Sequence, residues 1–195
     1  MNPLLIGGVI LGALLFYVWS VYNGFVTLKA RIKASLQEIG NQLKRQAEMV
    51  PQLVDSVKGY MKHETKALQM ITEARKSALS ALEKGVPKDL VEASTKMTEA
   101  LGAIRVIVES TPQLQAAAPT QTLMGELRDT ADKIMYARRT LIDLSADYNI
   151  KLMTFPSNLV ASVFGFKSEE GLTMPGDREY ATVKPEDTKT PKVDL

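Results

Sequence analysis

Apolar and polar positions divide the chain into two regimes. Residues Leu4 to Tyr22 run LLIGGVILGALLFYVWSVY with no charged side chain. As a helix rising 1.5 Å per residue, that stretch spans roughly 29 Å, close to the ~30 Å hydrocarbon core of a bilayer. It is apolar on every face, unlike an amphipathic helix that lays one stripe on a soluble core. A cleaved signal peptide needs a basic amino end and a small-residue cleavage site; here the start is Met1-Asn2-Pro3 and the far end, Trp19-Ser20-Val21-Tyr22, is bulky. The pattern predicts a membrane-spanning helix. Leu4, Leu5, Ile6, Leu14, Leu15 and Phe16 fall in the lipid, and Tyr17, Trp19 and Tyr22 form an aromatic belt at its carboxyl end. Gly8 and Gly12 make a small-xxx-small pair, a weak signal for helix pairing on its own.

From Val21 onward single apolar residues recur by alternating steps of four and three. Val21, Phe25, Leu28, Ile32, Leu36, Ile39 and Leu43 line one seam of a helix. Beyond Pro51 the seam resumes as Leu53, Val57, Tyr60, Glu64, Leu68, Ile71 and Ala78, to about Leu82. Glu64 is its odd member, because a carboxylate on an apolar seam must be paired or reach solvent. Lys84-Gly85-Val86-Pro87 is a helix stop, with Gly85 at the position that favours a left-handed residue. A further helix from about Lys88 carries Leu90, Ser94, Met97, Leu101, Ile104 and Val108. Thr111-Pro112 and Ala118-Pro119 mark the next connection. A last helix, from about Thr120 to Thr154, carries Leu123, Leu127, Thr130, Ile134, Ala137, Leu141, Leu144 and Tyr148. Strand-like alternation is absent, so the pattern predicts an all-α fold.

Two topologies fit. If Pro51 opens a new helix there are four helices; if it only kinks one, there are three. The heptad phase runs through Pro51 and favours the kink. A continuous helix to residue 83 would be about 90 Å long and too long for its partners to cover. The choice matters at the other end of the chain. Residues 155–166, FPSNLVASVFGF, are apolar and aromatic. With four helices they return to the membrane pole, where Phe155, Leu159, Phe164 and Phe166 either cap the open end of the bundle or lie on the bilayer interface. From Lys167 to Leu195 the chain is charged and proline-rich and reads as a flexible tail. The expected domains are a transmembrane anchor at 1–23, a helical module at 24–166 and the tail at 167–195.

Charge refines this picture. Lys29, Arg31 and Lys33 follow the apolar stretch, then Lys44 and Arg45, whereas only the α-amino group precedes it. The positive-inside rule then predicts a single-pass protein with the bulk of the chain in the cytoplasm. Lys29, Arg31 and Lys33 are also candidate contacts for anionic headgroups or a partner. Overall, 24 Lys and Arg balance 22 Asp and Glu, so no strong positive field points to nucleic acid. Tyr136, Arg138 and Arg139 do not form the interleaved aromatic-basic platform that single strands need.

Candidate chemistry is sparse. With no Cys, disulfides, thiolate catalysis and Cys-ligated zinc are excluded. His63, the single histidine, and Glu64 are adjacent, not at the i, i+3 or i, i+4 spacing of helical metal ligands. Carboxylate pairs such as Glu99 with Glu109 and Asp143 with Asp147 lack the Glu-x-x-His motifs of a di-metal bundle. No phosphate-binding loop, dinucleotide fingerprint or nucleophile elbow is present. No catalytic residue, metal or cofactor is therefore expected.

Several blocks resemble the LemA family. Tyr22-Asn23-Gly24-Phe25-Val26 is similar to its opening motif. Gln42-Leu43-Lys44-Arg45-Gln46, Val50-Pro51-Gln52-Leu53-Val54, Val57 to Glu64 (VKGYMKHE) and Thr72-Glu73-Ala74-Arg75 resemble successive signatures. Tyr148-Asn149, Phe155 to Ala161 (FPSNLVA) and Phe164-Gly165-Phe166 resemble its closing one. The likeness covers about residues 20–167. Gln46 departs from it, standing where the family often has Arg, and Thr120–Lys133 lacks the Thr-Glu dipeptide expected before the last helix. The resemblance implies an N-terminal transmembrane helix and an antiparallel up-and-down four-helix bundle with long helices, and so selects four helices over three. It also implies no established catalysis, and links of some relatives to bacterial membrane organisation or envelope stress. The expected function is that of a membrane-anchored scaffold or interaction protein whose partners are the lipid bilayer and an unidentified protein. The alternative is a membrane-shaping homo-oligomer that touches the interface through residues 155–166.

Overall fold

The computed structural model describes residues 2–60 and 64–169. Every regular element among them is an α-helix: α1 (Pro3–Val57), α2 (Thr65–Lys84), α3 (Pro87–Ser110), α4 (Pro112–Ala116), α5 (Ala118–Met153) and α6 (Ser157–Phe164). Asn23 and Gly24 do not interrupt α1, so the apolar stretch and the first heptad helix are one rod. His63 and residues 170–195 of the expected tail lie outside the described residues.

Pro51 neither opens a helix nor ends one. It sits inside α1, which continues to Val57 before a turn at residues 58–60. A proline lacks the N–H that would bond the carbonyl four residues back and normally breaks a helix there. That carbonyl belongs to Ala47, and Arg75 of α2 donates its Nε–H to it at 2.9 Å. An outside donor thus replaces the missing intrahelical one. The break expected at Pro51 moves downstream to the turn containing Gly59, a residue of low helix propensity.

α5 lies antiparallel to α1, with Arg45 meeting Glu126 (3.3 Å) and the Phe25 ring meeting Tyr148 (5.5 Å between centroids). α2 descends along the distal part of α1, as the Arg75–Ala47 bond and the approach of Leu82 to Gly40 show. α2 ends as its sequence predicts: Gly85 is left-handed at φ 63° and returns its N–H to Ala81, and Pro87 opens α3.

Helix lengths explain the core. From Tyr22 to Val57, α1 extends about 54 Å, and the 36-residue α5 matches it at 1.5 Å per residue. The shorter α2–α3 hairpin covers mainly the distal portion, reaching the proximal cluster only through Val91. Buried residues accordingly form two clusters. The distal one joins Leu43–Val57 of α1 to α2, α3, Leu114 of α4 and the first half of α5. The proximal one joins Val21, Phe25, Ile32 and Ile39 to Ala137, Leu141, Leu144 and Tyr148, with Val160 and Ala161 of α6. The buried stripe of α1 widens accordingly: near Phe25 it is a narrow seam against α5 and the end of α6, and from Gln46 to Leu53 it takes in Ala47, Met49 and Val50 as well. α2 contributes mostly alanines, Ala67, Ala74, Ala78 and Ala81 with Ile71, which lets its backbone lie close to its neighbours.

Candidate functional site

The candidate site is the pole where α1 leaves its packed partners. Of the most apolar 18-residue window in α1, 6% is buried. Leu4, Leu5, Ile6, Leu14, Leu15, Phe16 and Trp19 are all exposed. Tyr17 and Val18 differ: they are half-buried against the proximal cluster. The Asn23 side-chain amide donates to the Trp19 carbonyl at 2.9 Å, holding helix geometry through the exit point.

The closing segment supplies what packs there. α5 ends at Met153, and Ser157 fastens the turn that follows, its hydroxyl bonding the Lys151 and Thr154 carbonyls at 2.6 and 2.8 Å. α6 ends in a Schellman motif. Gly165 is left-handed at φ 70°, its N–H reaches the Ser162 carbonyl, and the Phe166 N–H reaches Ala161. This reversal places two rings on α1. Phe164 and Phe166 lie 4.9 and 5.6 Å from the Tyr22 ring, and Phe166 stacks on Phe25 at 4.8 Å. The similarity blocks around Tyr22-Asn23-Gly24-Phe25 and Phe164-Gly165-Phe166 are therefore two halves of one aromatic junction.

α6 is two-faced. Ser157, Val160 and Ala161 are buried, whereas Phe155, Leu159, Val163 and Phe164 remain exposed. Residues 155–166 thus cap the end of the fold with one face and present a second, apolar face outward. Of the residues singled out in the sequence, Phe155, Leu159, Phe164 and Phe166 gather at this pole. Lys29, Arg31 and Lys33 do not join them: they stand seven to eleven residues past Tyr22, about 10–17 Å along the helix, and Lys29 pairs with Glu169 at 3.6 Å.

Lys151, which sequence reasoning did not single out, is a cation at the pole. Its ammonium lies 5.2 Å from the Phe25 ring centre and crosses Gly24, where a Cβ would collide with it. The available signal was its position in the last turn of α5, immediately before a charge-free run. Asn149 was likewise read only as part of a motif. Its amide exchanges two hydrogen bonds with the backbone of Glu169, at 2.8 and 3.1 Å, so residues 167–169 at the start of the expected tail are held against α5.

Tyr148 is fully enclosed beneath this junction, and its hydroxyl has no protein partner among the described residues. Burial, with a smaller contribution from the Glu169 charge, pushes its phenol pKa up. Elsewhere, Glu64 is exposed at the N-terminal cap of α2, which answers the question of a carboxylate on the seam. Glu109 pairs with Arg105 at 2.7 Å. Among the described residues no three His, Asp or Glu side chains stand close enough to hold a metal ion.

Fold and pole together define, over the described residues, an all-helical fold with a candidate membrane span at its amino end, part of its longest helix. The LemA family model matches residues 35–186, and the chain belongs to the LemA family. It is also similar to magnetosome protein MamQ of Magnetospirillum gryphiswaldense, 25% identical over 172 residues, covering 76% of this chain and 63% of that protein. Magnetosome proteins MamQ 1 and MamQ 2 of Paramagnetospirillum magneticum are each 30% identical over 86 residues, 44% of this chain and 32% of theirs. The chain thus spans less than two thirds of the length of these relatives.

Proposed function

We propose that the protein is a single-pass, non-catalytic membrane scaffold of the LemA type, which holds a helical module against the bilayer and offers it to a protein partner. One observation carries this: Leu4 to Tyr22 is charge-free, exposed from Leu4 to Phe16, and part of the same unbroken helix α1 that packs the module, so whatever holds the span also holds the module. We read α1, α2, α3 and α5 as an up-and-down four-helix bundle. The charges that follow the span, Lys29, Arg31 and Lys33, favour a cytoplasmic module. LemA membership and the similarity to bacterial magnetosome proteins direct the proposal towards bacterial membrane organisation.

Alkaline carbonate extraction tests the anchor. The full chain is expected to stay with the membrane pellet, and a Leu11→Lys/Leu14→Lys variant to be released. Each lysine near the helix centre costs about 2.5–3.5 kcal/mol of insertion free energy. Release of the unaltered chain by carbonate overturns the anchor. The scaffold role is tested by crosslinked capture from native membranes with the full chain and with a variant lacking residues 24–166; identical captures would show that the module recruits nothing.

A further inference from the structure

We propose that α6 is an interfacial helix, the chain's second contact with the bilayer. Phe155, Leu159, Val163 and Phe164 would be seated in the boundary between headgroups and acyl chains, in the leaflet from which α1 emerges. The inference rests on the anchored reading of Leu4–Tyr22 and deepens it.

Three observations converge. First, the outward side of α6 and of the turn before it is apolar and, among the described residues, unpartnered: Val163 is 81% exposed, Phe155 75% and Leu159 58%. Met153, just before it, is 72% exposed. Exposed apolar groups clustered beside one another mark a contact surface. Second, residues 152–166 contain no charged side chain, so the segment enters a low-dielectric boundary without burying an ion. Third, its depth is fixed. α6 packs its inner face, Val160 and Ala161, into the cluster that half-buries Tyr17 and Val18, and Phe164 lies against Tyr22. The outer face therefore stands level with the aromatic end of the span. If α1 crosses a bilayer, the space beside Tyr17–Tyr22 is the interface, where aromatic and aliphatic groups of an amphipathic segment partition. That geometry selects lipid over a second copy of the chain as the occupant. The Lys151 ammonium, held over Phe25 at the same pole, lies where a headgroup region would begin.

Two contacts on one rigid junction constrain more than a single span does. An isolated helix tilts freely in the bilayer. A span braced by α6 through Tyr22, Phe25, Phe164 and Phe166 sets the angle at which α1 and α5 stand off the surface.

The chain has no Cys, so one introduced thiol is a unique labelling site. Full-length protein carrying a nitroxide at Leu159→Cys, Val163→Cys, Leu14→Cys or Glu99→Cys is reconstituted into phosphatidylcholine vesicles, with and without phosphatidylglycerol. Collision with oxygen is compared with collision with a water-soluble nickel chelate. Labels at 159 and 163 are expected to show a several-fold higher oxygen-to-nickel ratio than the label at exposed Glu99, below that at Leu14, in both lipid mixtures. Ratios at 159 and 163 equal to that at 99, with 14 still in lipid, overturn the α6 contact and leave the anchor standing. A water-like ratio at 14 overturns the anchor and the α6 contact with it. Dipolar broadening between labels at 163 assigns the face to a second copy and overturns the proposal. So does an oxygen preference present only with phosphatidylglycerol, which would make the contact electrostatic.

Discussion

Arg75 is the residue that lets α1 run through Pro51, and a double-mutant cycle measures how strongly. Ala47 is fully buried, and Pro51 offers its carbonyl no N–H, so the Arg75 Nε–H at 2.9 Å is its donor. Hydrogen bonds from a charged donor contribute about 1.5–3 kcal/mol, and a buried acceptor left bare costs a similar amount. Arg75→Ala alone should therefore destabilise the full chain by about 2 kcal/mol, measured by urea unfolding in detergent micelles and followed by helical circular dichroism. Pro51→Ala restores the intrahelical donor. An interior proline costs about 3 kcal/mol relative to alanine, but here Arg75 already offsets part of that, so the gain should be smaller, about 1 kcal/mol. In the double variant the carbonyl is bonded within α1, and the cost of losing Arg75 should shrink to its packing contribution. The expected coupling is about 1–2 kcal/mol, well outside the ~0.5 kcal/mol scatter of independent sites. Additivity within that scatter would falsify the claim that Arg75 supplies the bond Pro51 removes.

Gly165→Ala should cost about 1–2 kcal/mol in the same unfolding assay, because φ 70° is a left-handed conformation that a Cβ opposes, and it should loosen Phe166 from Phe25. Gly102→Ala and Gly125→Ala should do the reverse, each stabilising by up to about 1 kcal/mol, since both lie inside helices with open space where the Cβ would go. Alkaline pH should weaken the fold through Tyr148. Its phenol pKa is raised by burial, so above about pH 10, the ordinary tyrosine value, the unfolded chain sheds a proton that the native chain keeps, and stability falls until the folded phenol also ionises. Tyr148→Phe should flatten that part of the stability–pH curve above about pH 10, the ordinary tyrosine value; an unchanged slope refutes the assignment.

The sequence by itself determined most of the long helices and their inward faces, though not the break at residues 58–60 that leaves Tyr60 and Glu64 exposed. Alternating three- and four-residue spacing is local, and in α3 and α5 nearly every seam residue from Leu90 to Val108 and from Leu127 to Tyr148 is buried. The Gly85 stop was equally local, since a left-handed residue followed by proline needs no distant partner. The charge-free run of Leu4–Tyr22 needed only its composition. The tertiary structure decided what depends on residues far apart in the chain. Whether Pro51 breaks α1 turns on a donor 28 residues from the carbonyl it serves, which no periodicity encodes. The short α4 inside the expected connection is held by the burial of Leu114 in the distal core. The apolar segment 155–166 left two readings open, cap or outward surface, because composition does not say which side of a helix finds a partner. Packing gave it both roles: Val160 and Ala161 face inward against α1, and Leu159 and Val163 face out beside the end of the span.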